Sequence, residues 1–212
     1  MSTDNIYKIR SKNRDLFLRV SEGHFATSHS HINYYIDVSA QKARLSEATA
    51  VARDLVAYYN NTIVDTILCL DGTEVIGTCL ANELTKGDFM NMNAHQTIYV
   101  VTPEHTSGSQ LIFRDNTVPM IKGKHVLILA ASVTTGYTAQ AAVEAVNYYN
   151  GHPVGICAIF ATTNICAGQT VRAAFDLNDL SDYQSAPSHE CPLCKQGVKL
   201  DALINGFGYS KL

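Results

Sequence analysis

The sequence predicts an α/β fold: a mostly parallel central sheet flanked by helices on both faces. Three observations predict it. Four short runs, at 66–70, 97–101, 126–129 and 154–160, are apolar throughout instead of alternating. Strands covered on both faces read this way. The segments after the first and third run carry apolar residues at helical spacing, and turn residues such as Asp71-Gly72 and Thr135-Gly136 stand at the junctions. Strand–helix–strand alternation then implies right-handed crossovers.

Taken in order, residues 4–20 mix charge with Ile6, Ile9, Leu16, Phe17, Leu18 and Val20 and are expected to form an N-terminal helix. Residues 24–39 end in an extended segment around Tyr34, Tyr35 and Ile36. Leu45, Ala48, Ala52, Leu55, Val56 and Tyr59 recur every three or four positions, which predicts a helix, with Ser39 as a boundary signal upstream and Asn60-Asn61 closing it. A second helical pattern runs through Val75, Ile76, Cys79, Leu80 and Leu84, and a third through Ala142, Ala145, Val146 and Tyr149. Residues 102–124 break the rhythm and are expected to be a flap or extra hairpin. One domain over 1–212 is expected, with an N-terminal segment at 1–40 and a tail at 186–212.

Composition narrows the function. The chain has 212 residues, 46% hydrophobic and 17% charged, with a net charge of −3. That is enough apolar material for a full core and excludes a disordered chain. With acids outnumbering bases, no basic field drives binding to a nucleic-acid backbone. The longest apolar run, 126–131, is too short to cross a bilayer. The polar start, Met1-Ser2-Thr3-Asp4-Asn5, lacks the apolar core of a secretory signal. A cytoplasmic protein is expected. The six cysteines do not suggest a disulfide framework in a chain of this size, and only Cys191 and Cys194 form a local motif.

The third run leads through Ala130, Ala131, Ser132, Val133, Thr134, Thr135, Gly136, Tyr137 and Thr138 directly into a helix. Exposed amides at such a helix start favour an anion, Gly136 permits close approach, and the threonines add hydroxyls. The plainer alternative is that Thr134 merely caps the helix. The strand–turn–helix context favours a phosphate site over 132–138.

This stretch resembles the phosphoribosyl-diphosphate (PRPP) motif of type I phosphoribosyltransferases: four apolar residues, two acids, two further residues, then Thr-Thr-Gly-x-Thr. Other segments place the chain nearest the orotate type, with similarity over most of residues 16–200. Gly23-His24-Phe25 leading to Tyr34-Tyr35-Ile36-Asp37 is similar to that family's lead-in. Asp71, Gly72, Thr73 and Glu74 stand at its pyrophosphate loop, and the ending Cys191-Pro192-Leu193-Cys194 is similar to C-terminal segments of some members. The resemblance implies the type I phosphoribosyltransferase fold, with 1–40 as a small hood and 102–124 as a flexible flap. It also implies Mg²⁺, a homodimer, a small-molecule phosphate ligand (PRPP or a nucleotide), and transfer of 5-phosphoribosyl to a pyrimidine base.

The family pattern is broken in three places. The acids that hold the ribose hydroxyls are replaced by Ala130 and Ala131. The flap begins Thr102-Pro103-Glu104-His105 where cations are expected, with Arg114 and Lys122 only later. The lead-in has no Lys to meet the base, leaving His29, His31 and Tyr34 as base-pocket candidates. Two functions follow: a phosphoribosyltransferase, or a non-catalytic PRPP or nucleotide binder on the same fold. No catalytic residue is assigned.

Two further groups have competing readings. Asp71 and Glu74 suit a hydrated Mg²⁺ or a pyrophosphate-facing turn, or else only the acidic first turn of a helix. His189, Cys191 and Cys194 offer three zinc ligands, one short of a closed site. Cys166, His152 or a group from another subunit would complete it. The alternative is a pair of reduced thiols.

Overall fold

The computed structural model describes residues 6–11, 16–86, 91–106, 110–206 and 208–212. The first five residues, 12–15 of the expected N-terminal helix and 107–109 of the expected flap lie outside them.

Two sheets organise the described residues. The central sheet uses β4 (Thr66–Cys69), β5 (Tyr99–Val101), β8 (His125–Val133), β9 (His152–Ala161), β10 (Ile165–Cys166) and β11 (Gln169–Phe175) in the order β10-β11-β9-β8-β4-β5. Every pairing is parallel except the β10–β11 hairpin. All four apolar runs are strands of this sheet. The strand at Gln169–Phe175, whose Thr170 and Arg172 dilute its apolar content, carries no such run.

Side-chain parity explains why the runs are apolar on both faces. Along β8, Leu127 and Leu129 pack with helices α2 (Leu45–Val56) and α3 (Glu74–Leu84) through Val51, Leu55, Ile76 and Leu80. Val126, Ile128 and Ala130 point the other way, against Ala139, Ala142, Val143 and Val146 of α4 (Tyr137–Tyr148). Leu127 and Leu129 are fully buried, and each such leucine contributes roughly 1.5–3 kcal/mol of transfer free energy.

The second sheet forms the hood. It contains β1 (Tyr7–Arg10), β2 (Phe17–Ala26), β3 (His31–Asp37), β12 (Ser185–Ala186), β13 (Ala202–Asn205) and β14 (Gly208–Lys211), ordered β12-β3-β2-β13-β14 with β1 paired to β2. The expected N-terminal helix is therefore corrected to strands. Leu16, Leu18 and Val20 are buried while Phe17 and Arg19 between them are partly exposed. That is a period of two, which the surrounding charges obscure. The tail and the N-terminal segment thus belong to one sheet. A short helix, α1 (Ser39–Ala43), leads from the hood into α2. Arg19 of β2 donates both guanidinium nitrogens to the Glu47 carboxylate of α2, at 2.7 Å each.

The excursion at 102–124 contains a two-stranded hairpin, β6 (Glu104–His105) with β7 (Leu111–Ile112). A 3₁₀ turn at Val118–Met120 follows, and Ile121 is buried against the α4 side. Only the first half is a projecting hairpin. Among the described residues no helix is long and apolar enough to cross a membrane.

Candidate functional site

The carboxyl ends of β4 and β8 face the hood across a cavity of about 220 Å³. Open parallel sheets bind ligands at this end. Three walls meet there: the loop 131–139, the hood turn 27–30, and Asn205-Gly206 of the tail.

The loop 132–138 lies in the cavity wall throughout. Gly136 is the N-cap of α4 at φ +80°, and no side chain caps the helix. Thr134 is therefore not a cap. Its carbonyl accepts from Thr162 Oγ1 at 2.9 Å. Tyr183 also lines the cavity, and burial pushes its phenol up to about 12. A β-carbon on Gly136 would stand 2.9 Å from Cys166 Sγ. The glycine is thus required by space as well as by its backbone angle.

Of the residues 71–74, only Asp71 reaches the cavity. Thr73 is buried, with its hydroxyl donated to the Leu70 and Leu129 carbonyls at 2.8 and 3.2 Å. Glu74 is exposed in the first turn of α3. Asp71 adopts a left-handed backbone, φ +55°, with Gly72 at +76°. Its Oδ2 accepts from the Ala131 amide at 3.4 Å. Burial raises the Asp71 pKa above its ordinary 3.8, although the Ala131 amide, Lys42 and His105 oppose that.

Lys42 is a site residue that the sequence reading missed. It lies on α1, and its ammonium donates to the carbonyls of Asp71 (2.8 Å) and Gly206 (2.7 Å). Among the described lining residues, Lys42 is the one Lys or Arg and Asp71 the one acid. No motif marks Lys42, since it comes from a short helix remote in sequence from the loop it serves. Arg114 is engaged elsewhere. It forms a bidentate pair with Glu104 across the exposed hairpin, at 2.5 and 2.7 Å.

The two alanines differ. Ala131 lines the cavity. Ala130 faces the core under α4 and is 1% exposed. The three base-pocket candidates also part. His29 lines the cavity and rests its ring on Tyr137, centroids 5.1 Å apart. Tyr34 is outside the cavity wall; it is buried in the core and donates to Asp182 Oδ2 at 2.5 Å. The apolar hood side is furnished instead by Ile32, Tyr35 and Ile36.

His31 also lies outside the cavity wall, in a second group. His24, His31, Cys191 and Cys194 bring their ligand atoms within 4.8 Å of one another. His189 does not join them; it is exposed beside Glu190, 3.5 Å away. Cys166 lies at Gly136 and His152 beside His125, so neither completes the set. His24 escaped notice because nothing in the sequence shows that a β-bulge between Glu22 and Phe25 aims it at the tail.

No protein-family model matches the chain. Among curated proteins, it is similar to the orotate phosphoribosyltransferase of Chlorobium phaeobacteroides, 26% identical over 184 residues, covering 85% of this chain and 86% of the relative. That of Caldicellulosiruptor saccharolyticus is 24% identical over 182 residues, covering 84% and 86%. Among solved structures, orotate phosphoribosyltransferase of Mycobacterium tuberculosis superposes with a TM-score of 0.54 at 19% identity, over 77% of this chain and 92% of that one. A structure of the M. tuberculosis protein in complex with PRPP matches at 0.50 and 18%, over 70% and 85%. Leishmania donovani UMP synthase matches at 0.55 and 20%, over 76% of this chain and 34% of that one. With its parallel sheet, hood and loop 132–138, the chain has the type I phosphoribosyltransferase fold and is similar over most of its length to orotate phosphoribosyltransferases.

Proposed function

We propose that the cavity binds PRPP or a nucleoside 5′-monophosphate, with the 5′-phosphate on residues 132–138. The observation that carries this reading is the start of α4, which opens on the cavity with no side-chain cap. Its first amides and the Thr135 and Thr138 hydroxyls are the donors an anion needs. The ribose then lies against Ala131, where the Asp71 carboxylate replaces the acid that β8 lacks. The base meets Ile32, Tyr35 and His29 of the hood. The Lys42 ammonium stands at the pyrophosphate end, with Gly72, Thr73 and Glu74 outside the cavity wall.

The sequence similarity extends this to phosphoribosyl transfer: a bond forms from ribose C1′ to a pyrimidine-type nitrogen as the bond to pyrophosphate breaks, and that nitrogen's proton is released to solvent. In that step the chain's residues position the ligand, and Lys42 offsets the departing charge. Mg²⁺ supplies further neutralisation when bound. Asp71 is its one carboxylate ligand here, so most of its coordination must come from the ligand's oxygens and water. A homodimer and a cytoplasmic location belong to the same proposal and rest on the resemblance. Non-catalytic binding is the second reading. It is favoured by the single cation among the described lining residues and by the engagement of Arg114 with Glu104.

Ribose 5-phosphate or UMP at millimolar concentration should raise the melting temperature by mass action. Thr135→Val with Thr138→Val should erase the rise. An unmoved wild-type transition overturns the binding proposal. Loss of orotate absorbance with PRPP and Mg²⁺ then separates the two readings: turnover supports transfer, and binding without turnover supports the non-catalytic one.

A further inference from the structure

We propose that His24, His31, Cys191 and Cys194 form a closed, four-coordinate zinc site that fastens the tail to the hood. His24 Nε2 lies 3.2 Å from His31 Nδ1, 3.4 Å from Cys191 Sγ and 3.7 Å from Cys194 Sγ. Cys194 Sγ is 3.2 Å from His31 Nδ1. Zinc bonded to sulfur at about 2.3 Å and to nitrogen at about 2.0–2.1 Å has tetrahedral ligand–ligand edges of roughly 3.3–3.8 Å. The four distances given lie within about 0.1 Å of that range, and all the ligand atoms lie within 4.8 Å of one another.

The tautomer of His24 agrees. Its Nδ1 lies 2.9 Å from the Val198 carbonyl oxygen. A carbonyl only accepts, so Nδ1 carries the hydrogen and Nε2 presents a lone pair to the group. An outer-shell carbonyl orients metal-binding histidines in this way. Two backbone devices hold the ligands. The bulge at Glu22/Phe25 turns His24 inward, and Gly23 admits no β-carbon, with Phe25 Cζ at 2.7 Å and Asp201 Oδ2 at 2.8 Å from its place. On the tail, Cys191 stands immediately before the helix α5 (Pro192–Lys195), which carries Cys194, and Gly197 closes the turn at φ +74°. Cys-x₂-Cys on a tight turn with two histidines is a zinc donor set; the sulfurs disfavour Mg²⁺ or Ca²⁺. With four protein ligands no position stays open, so the site is structural.

The consequence for the cavity is direct. His24 and His31 flank the turn 27–30, and Cys191 and Cys194 precede the tail residues Asn205 and Gly206. One ion would fix two of the three walls.

Metal analysis of the full-length chain, purified without chelator, tests this. About one zinc per chain is expected. Cobalt loaded into the metal-free chain should show a thiolate charge-transfer band together with tetrahedral d–d absorption. Cys194→Ser should weaken both metal retention and that band, while His189→Ala and Cys166→Ser leave them intact. Chelation should lower the melting temperature by several degrees and raise the number of thiols that react in the native state. Should Cys194→Ser fail to fold, the wild-type cobalt spectrum and thiol protection decide. A chain that holds no zinc and takes up neither zinc nor cobalt overturns the proposal, as does bound metal without thiolate absorption. Either result would mean thiol–imidazole hydrogen bonds alone join the four residues. Phosphate binding at 132–138 is read separately and survives that outcome.

Discussion

On the proposed binding mode, Asp71→Asn isolates the sugar end of the cavity from the phosphate end. Asparagine tolerates the left-handed backbone that Asp71 adopts, and the Lys42 bond to the residue 71 carbonyl is retained. What is lost is one charged acceptor beside Ala131. A hydrogen bond to a charged group contributes roughly 1.5–3 kcal/mol, so the Kd for ribose 5-phosphate should rise about 10- to 150-fold. Inorganic phosphate, held only at 132–138, should bind within about twofold of wild type. The ligand-free protein should respond oppositely. Burial holds the folded Asp71 pKa above its ordinary 3.8. The resulting penalty is absent below that value and sets in as pH rises to the raised one. At neutral pH Asp71→Asn should therefore stabilise the empty protein while weakening the sugar complex. Restoring an acid on β8 by Ala131→Asp alone should not help. Two carboxylates about 5 Å apart repel by roughly 3 kcal/mol at an effective dielectric constant near 20. Combining it with Asp71→Asn should recover affinity. Isothermal titration with both ligands checks this series. Unchanged ribose 5-phosphate affinity in Asp71→Asn, or equal weakening of both ligands, would refute the placement of the sugar.

The other expectations concern stability. Gly136→Ala combines backbone strain with contact against Cys166 and should cost roughly 1–3 kcal/mol in urea unfolding. Gly123→Ala, at φ +70° with open space, should cost only the strain, about 1 kcal/mol, so the difference reads the steric part. Glu47→Gln breaks the bidentate pair that joins the hood to α2 and should cost about 1–2 kcal/mol. The Arg19 guanidinium holds the Glu47 carboxyl below its ordinary 4.5. The wild-type pair therefore contributes fully above that pH and is lost as pH falls through the lowered value. The variant should show a shallower acid transition by circular dichroism.

The central sheet was legible because its strands are buried on two faces, and Leu127 against Ile128 leaves no polar gap in the pattern. The hood strands were not. In 16–20 a period-two burial is crowded by Arg19 and Phe17, and charge near the chain start reads as an amphipathic helix. The loop 132–138 was legible because a contiguous stretch carries both its glycine and its hydroxyls. Lys42, His24 and the role of Asp71 were not, because each depends on elements far apart in the chain. Ala130 and Ala131 read as an equivalent pair, yet consecutive strand residues face opposite ways, and only Ala131 meets the cavity. Ala130→Glu would accordingly bury a carboxylate beneath α4 instead of offering it to a sugar.

Residues His24 and Asp201 clasp each other through two hydrogen bonds, both 2.8 Å, across 177 positions. A ribosome must therefore deliver nearly the whole described chain before β2 finds β13. The helices and parallel strands can collapse earlier, from contacts that are closer in sequence. During synthesis the nascent molecule would carry a formed loop 132–138 under an unfinished roof. A closed cavity would be the last feature the polypeptide acquires.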